Sequence, residues 1–114
     1  YRTTGGVHTS ALSDGQQLLV VASDVGRHNT LDKIQGQCLL EGIDTRDRIL
    51  LTTGRLSAEM LNKAARMRVP ILVSRTSPTD LAVEMAKAWG ITLIGYARGE
   101  QIHVYSGEER VKLD

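Results

Sequence analysis

The chain has 114 residues, 41% of them hydrophobic and 24% charged, and a net charge of +1. That balance suits one soluble globular domain able to bury roughly two-thirds of its unfolded surface. A near-neutral charge and 4% aromatic residues, with no phenylalanine, exclude a broad electrostatic or base-stacking grip on nucleic acid. The single cysteine, Cys38, excludes a disulfide framework and a cysteine-rich zinc site within the chain. It fits a reducing, cytoplasmic setting. No apolar run approaches the roughly 20 residues of a membrane span, so no membrane partner is expected.

Thr4-Gly5-Gly6 lies near the start of the chain, and a short helix is expected around Val7 to Leu12. Gln17 to Ser23, Arg48 to Thr53, Pro70 to Ser74 and Ile91 to Gly95 are β-rich apolar runs. They read as strands buried on both faces in a parallel sheet covered by helices. Between them, Arg27 to Leu40 repeats apolar residues at Leu31, Ile34 and Cys38, and Ser57 to Met67 carries the stripe Met60, Leu61, Ala64 and Met67. Ser77-Pro78-Thr79-Asp80 reads as a helix start, with Ser77 as N-cap and Asp80 completing a capping box. Leu81, Ala82, Met85, Ala86 and Trp89 follow, and Gly90 ends that helix. A last strand, Ile102 to Tyr105, follows a short turn and is expected to be an antiparallel edge. The tail after Ser106 is polar and expected to fray. This order predicts right-handed βαβ units in a three-layer α/β/α sandwich with a mostly parallel sheet.

In open α/β sheets, ligands lie beyond the carboxyl ends of the strands. Four loops qualify: Asp24-Val25-Gly26-Arg27-His28, Gly54-Arg55-Leu56-Ser57, Ser74-Arg75-Thr76-Ser77 and Tyr96-Ala97-Arg98. Each carries an arginine, whose fork grips phosphate, and three run into helix N-termini, which favour anions. The expected ligand is phosphate-bearing or pterin-like. Any one arginine could equally be solvated, or paired with Asp24, Glu59 or Asp80. Asp24 to Asn29 is the densest polar constellation. Gly26 is read as the residue that turns the backbone sharply, and His28 as a group able to exchange a proton near neutral pH. The bland alternative has Asp24 capping the helix and Asp32 and Lys33 facing water. His8 could line a pocket, although a lone histidine is more often structural. Cys38 is expected to be a small core residue rather than a nucleophile.

Thr4-Gly5-Gly6-Val7-His8, Asp24-Val25-Gly26-Arg27-His28-Asn29 with Asp32-Lys33 and Gly36, Gly54-Arg55 with Ser57 and Glu59, and Ser77-Pro78-Thr79 with Leu81-Ala82-Val83-Glu84 resemble the FdhD/NarQ family in order and spacing. The resemblance implies a cytoplasmic, homodimeric sulfur carrier that takes sulfur from a cysteine desulfurase. The recipient would be the molybdenum bis(guanine dinucleotide) cofactor, needed by the formate dehydrogenase apoprotein. GDP would mimic that cofactor, no zinc is implied, and the domain would be cytidine-deaminase-like. The zinc of true nucleoside deaminases needs a His-x-Glu and a Cys-x-x-Cys, both absent here. With the loops above, the candidate cofactor-binding residues are Gly6 and His8; Asp24, Gly26, Arg27, His28 and Asn29; Arg55 and Ser57; and Arg75, Ser77 and Thr79. The family's sulfur-carrying Cys-x-x-Cys lies upstream of the Thr-Gly-Gly-x-His segment. No such pair stands in this chain, so it is expected to be the C-terminal domain of a longer protein, holding the ligand and inactive alone in sulfur transfer. The alternative is a generic nucleotide-binding or protein-interaction module.

Overall fold

The structure, a computed structural model, describes residues 7–98 and 101–111, with the backbone alone at Arg98. Its first feature follows from Asp14 and Gly15. The Asp14 carboxylate accepts from the backbone N–H groups of Gln16 and Gln17, both at 2.9 Å, and Gly15 takes a left-handed φ of 98°. This turn folds β1 (His8–Ser13) onto β2 (Leu18–Asp24) as an antiparallel hairpin. The helix expected around Val7 to Leu12 is therefore a strand, and an internal one. It pairs antiparallel with β2 on one side and with β3 (Ile49–Thr52) on the other.

After β2 come α1 (Arg27–Glu41), β3, α2 (Ala58–Arg66), β4 (Ile71–Ser74), α3 (Asp80–Trp89), β5 (Thr92–Arg98) and β6 (Gln101–Ser106). The sheet order is β2-β1-β3-β4-β5-β6. Only β3–β4 and β4–β5 are parallel; the other three pairs are antiparallel. The sheet is thus mixed rather than mostly parallel, because the hairpin inserts β1 beside β3. The antiparallel edge expected at β6 is present.

The two parallel crossovers step across the sheet in one direction, so right-handedness puts α2 and α3 on the same face. α1 lies beside α2 on that face, joined to it by the Lys63–Asp32 ion pair and by the contact of His28 with Glu59. Beneath the helices, Leu12, Leu50, Leu72 and Leu93 stand opposite one another across four strands, all fully buried. Each such leucine contributes about 1.5–3 kcal/mol of transfer energy. The alternate residues Ile49, Leu51, Ile71 and Val73 are only half-buried. The described elements therefore form two layers with one open sheet face. The second helical layer expected of a sandwich is not among them, and the strands are not sealed on both faces.

The helices end much as their sequences dictate. Ser57 caps α2, accepting from Met60 N at 3.2 Å, and Met60, Leu61 and Ala64 are fully buried. α3 is capped by Thr79, not Ser77: Thr79 Oγ1 accepts from Ala82 N at 3.1 Å. Pro78 bridges to Leu56, and Thr79 N donates to Leu56 O, so the chain stays extended two residues longer than the capping box suggests. Ala82 and Ala86 are the buried face of α3, while Leu81 and Trp89 are exposed. Gly90 stops α3 in a left-handed conformation, as expected. The tail does not fray at once: a 3-10 turn, Glu108–Arg110, forms, and Arg110 donates to Gly90 O at 2.7 Å.

Candidate functional site

The parallel strands β3, β4 and β5 end on one edge of the sheet. β2 also ends there and β1 begins there, because both flanking pairings are antiparallel. His8 stands opposite Asp24, and Thr9 exchanges bonds with Thr53, donating to Thr53 Oγ1 and accepting from Thr53 N, both at 3.0 Å. Three of the four expected loops thus share one edge; the fourth, Tyr96-Ala97-Arg98, is the end of β5 rather than a loop, because its pairing with β6 prolongs the strand, and His8 joins the edge from β1.

A row of hydroxyls lies under this edge, on the helix side. Ser10 Oγ donates to Thr52 Oγ1 at 2.8 Å and lies 2.7 Å from Thr30 Oγ1, whose hydroxyl donates to the Arg27 carbonyl at 2.6 Å. Thr52 Oγ1 also accepts from Gly54 N, and Ser74 Oγ donates to Gly54 O at 2.7 Å. Ser10, Thr30, Thr52 and Ser74 are all buried. They fix the start of α1 and the loop after β3 to the sheet. The sequence reading missed them. The available signal was a hydroxyl in place of an apolar residue near one end of β1, β3 and β4 alike.

α1 differs from the other helices at its N-terminus. α2 and α3 each have a side-chain cap and an acidic residue in the first turn, Glu59 and Asp80. α1 begins at Gly26 with no side-chain cap and no acid in its first turn. Asp24 instead accepts from Gly26 N at 3.0 Å, from Asn29 Nδ2 at 3.2 Å and from Lys33 Nζ at 2.9 Å. Those partners, the Gly26 N–H first, hold its carboxyl well below the usual carboxylate range. Gly26 has an ordinary extended φ of −100°, so the sharp turn ascribed to it is absent. What it accommodates is Asn29, whose amide would lie 3.0 Å from any added Cβ.

Arg27 and His28 are half-buried at this uncapped end. Arg27 Nε and His28 Nδ1 are both buried with no hydrogen-bond partner among the described residues. Such groups cost about 1–3 kcal/mol each if left unsatisfied. The other ring nitrogen of His28 lies 3.4 Å from Glu59 Oε2. The Arg27 stem is pressed against Gly54, where an added Cβ would come within 2.7 Å of Arg27 Cβ. A helix start without a side-chain cap, with a guanidinium nitrogen and an imidazole nitrogen that lack hydrogen-bond partners among the described residues, is an arrangement able to receive an anion.

The remaining candidates divide. Ser57 and Thr79 are engaged in capping their own helices. Arg55 and Asn29 are exposed, and Ser77 is half-buried. Arg75 lies on the open sheet face, lining an apolar depression with Ala11, Leu51, Val73 and Ala97, and so is separated from Arg27 by the sheet. Asp32 pairs with Lys63, and Lys33 reaches back to Asp24 and to Ser23 O. Cys38 is buried in the core, and burial pushes its thiol upward, with Glu41 adding to the shift. Gly6 and the Arg98 side chain lie outside the described residues.

A sequence profile of the FdhD/NarQ family matches residues 1–112. The sulfur carrier protein FdhD of Bacillus subtilis is 46% identical over 112 residues, covering 98% of this chain and 43% of the relative. The protein of the same name from Listeria monocytogenes is 43% identical over 111 residues, covering 97% of this chain and 42% of its own length. A crystal structure described as a "putative formate dehydrogenase accessory protein" from Desulfotalea psychrophila superposes with a TM-score of 0.89 at 43% identity. That match covers 96% of this chain and 49% of the solved one. The chain thus spans less than half the length of the curated relatives it matches. Profile, sequences and superposition agree with one another, and the chain belongs to the FdhD/NarQ family.

Proposed function

We propose that this chain is the nucleotide-holding part of an accessory protein that passes sulfur to the cofactor of formate dehydrogenase. Its cargo is the molybdenum bis(guanine dinucleotide) cofactor, whose guanosine diphosphate arms GDP imitates. The observation that carries this reading is the uncapped start of α1, where Arg27 Nε and His28 Nδ1 are buried and unpartnered. A diphosphate there would accept from the helix N–H groups and from Arg27 together. The names of the relatives support the class of role, a sulfur carrier serving formate dehydrogenase. On this reading the sulfur donor is a cysteine desulfurase, the recipient is the formate dehydrogenase apoprotein, and the working unit is a cytoplasmic homodimer. This chain holds the cargo and does not carry sulfur, since its one thiol is buried. The open apolar sheet face supports the finer fold reading, a cytidine-deaminase-like three-layer sandwich. Its other layer would come from the additional length that the relatives possess.

Calorimetry with GDP tests the proposal. Arg27→Ala removes a charged hydrogen bond of about 1.5–3 kcal/mol and should weaken binding roughly ten- to hundred-fold. Arg27→Lys should recover only part, because a point charge cannot replace the fork. Arg110→Ala, remote from the edge, should leave affinity unchanged. Parent-like affinity in Arg27→Ala would refute the seat at α1. Equal affinity for GDP, ADP and UDP would favour a plain nucleotide-binding module.

A further inference from the structure

All three helices end on a residue with a left-handed backbone. After α1 and α3 it is a glycine, Gly42 at φ 69° and Gly90 at φ 70°; just past α2 it is Arg68, at φ 59°. The bonds that close α2 are backbone ones, Arg68 N donating to Ala65 O at 3.0 Å and Val69 N to Ala64 O at 3.1 Å. Glycine would make both without the strain that a Cβ brings. The α2 dipole does not require the arginine, since Lys63 and Arg66 already place cations in its last turn. Arg66 and Arg68 are both exposed, and neither makes a hydrogen bond or ion pair among the described residues. Arg68 stands between two depressions. One, of about 250 Å³, lies between the ends of α1 and α2 and is lined by Leu39, Ile43 and Met67 together with Arg46, Arg66 and Arg68. Asp44 also lines it, but is engaged by Arg46 at 3.1 Å. The other, of about 240 Å³, is lined by Trp89, Pro70 and Ile91 with Arg68. Arg110 lines it too, but is tied to Gly90 O and Thr92 Oγ1. Leu39 is 78% exposed and Trp89 49%.

We infer that this end of the domain docks an acidic segment of a partner protein, with carboxylates on Arg66 and Arg68 and an apolar side chain in each depression. Charge selects the occupant: the two guanidinium groups without partners flank exposed apolar surface, and only an anionic segment satisfies both. Tryptophan and arginine are also the residue types that anchor protein interfaces. A nucleic acid would need a broad basic field, which a chain of net charge +1 does not supply. The surface stands at the far end of α1 from Arg27, and the 15 residues of α1 separate the two by about 20 Å. A partner held here leaves the strand edge open, so this inference stands whether or not that edge holds a nucleotide.

Trp89 is the only tryptophan of the chain, so its fluorescence reports on this surface. The probes are a capped synthetic peptide with two leucines separated by three acidic residues, and the same peptide with amides in place of the acids. The acidic peptide should shift the Trp89 emission to the blue and saturate, more weakly as salt rises, and the amide peptide should not. Arg68→Gly should weaken the acidic peptide about tenfold or more, and Arg66→Ala should act in the same direction. Glycine accepts φ 59° without strain, so Arg68→Gly should keep or raise the melting temperature, and its loss of binding is then no folding defect. No saturable shift with the acidic peptide would overturn the docking surface, as would equal affinity for the amide peptide or parent-like affinity in Arg68→Gly. A lower melting temperature in Arg68→Gly would also overturn it, by making Arg68 a structural residue. A shift produced by a single-stranded oligonucleotide and not by the peptide would replace the protein partner with a nucleic acid.

Discussion

Gly54→Ala tests whether the strand edge and the start of α1 are fitted to each other. The new Cβ would stand 2.7 Å from Arg27 Cβ, 3.2 Å from Arg27 Cδ and 3.4 Å from Thr52 Oγ1. Carbon atoms pack at about 3.5–4.0 Å, so the two backbones must part by roughly 1 Å. Neither is free to do so. Gly54 is held through its N–H by Thr52 Oγ1 and through its carbonyl by Ser74 Oγ. α1 is held by the buried Leu31, Ile34 and Cys38. Overpacking of this kind costs about 1–3 kcal/mol, which lowers the melting temperature on the order of 5–20 °C in a domain this size. Denaturant melts would measure it, and GDP affinity should fall as Arg27 is displaced. Arg27→Gly removes the atom that clashes, so the double variant should lose less than the sum of the two single ones. A Gly54→Ala protein as stable as the parent, or strictly additive losses, would refute the close fit.

Ser57→Ala and Thr79→Ala should each cost about 1 kcal/mol in thermal melts, as lost caps do, and leave GDP affinity unchanged; a loss of affinity would restore them as ligand residues. Asp24 has a depressed folded-state pKa, so its stabilisation is present above its usual value of 3.8 and is lost as pH falls below it. Asp24→Asn should therefore flatten the acid limb of the stability profile below about pH 4, and an unchanged slope would contradict the bonding described. Cys38 should resist alkylation at neutral pH in the native protein and react on unfolding. Persulfide transferred to it by a cysteine desulfurase would overturn its assignment to the core.

The βα order from Gln17 onward was legible because each strand is a compact apolar run bounded by a turn or a cap. β1 was not legible. Two of its six residues, Ser10 and Ser13, are buried hydroxyls, and the partners of Ser10 come from β3 and α1, far away in sequence. The gathering of the loops on one edge followed from topology, but their division between the two faces did not. The buried Ser74 points to the helices, so the alternation of the strand sends Arg75 to the other side. Ser57 and Thr79 cap α2 and α3, a role that their reading as ligand residues did not include, since a hydroxyl before a helix serves the helix first.

The two cross-strand rows on the helix side are one strand step apart. Leu12, Leu50 and Leu72 align with one another, and so do Ser10, Thr52 and Ser74. If one strand slid by two residues, its leucine would face a hydroxyl or, in the other direction, its hydroxyl would face a leucine. Hydrocarbon alone forgives sliding, but a buried hydroxyl set against a methyl group does not. The polar row therefore acts as the key that sets β1, β3 and β4 in register. The atoms that position Arg27 and Gly54 are the same atoms that align the strands, so errors of strand alignment and errors of site geometry arise together and are selected against together.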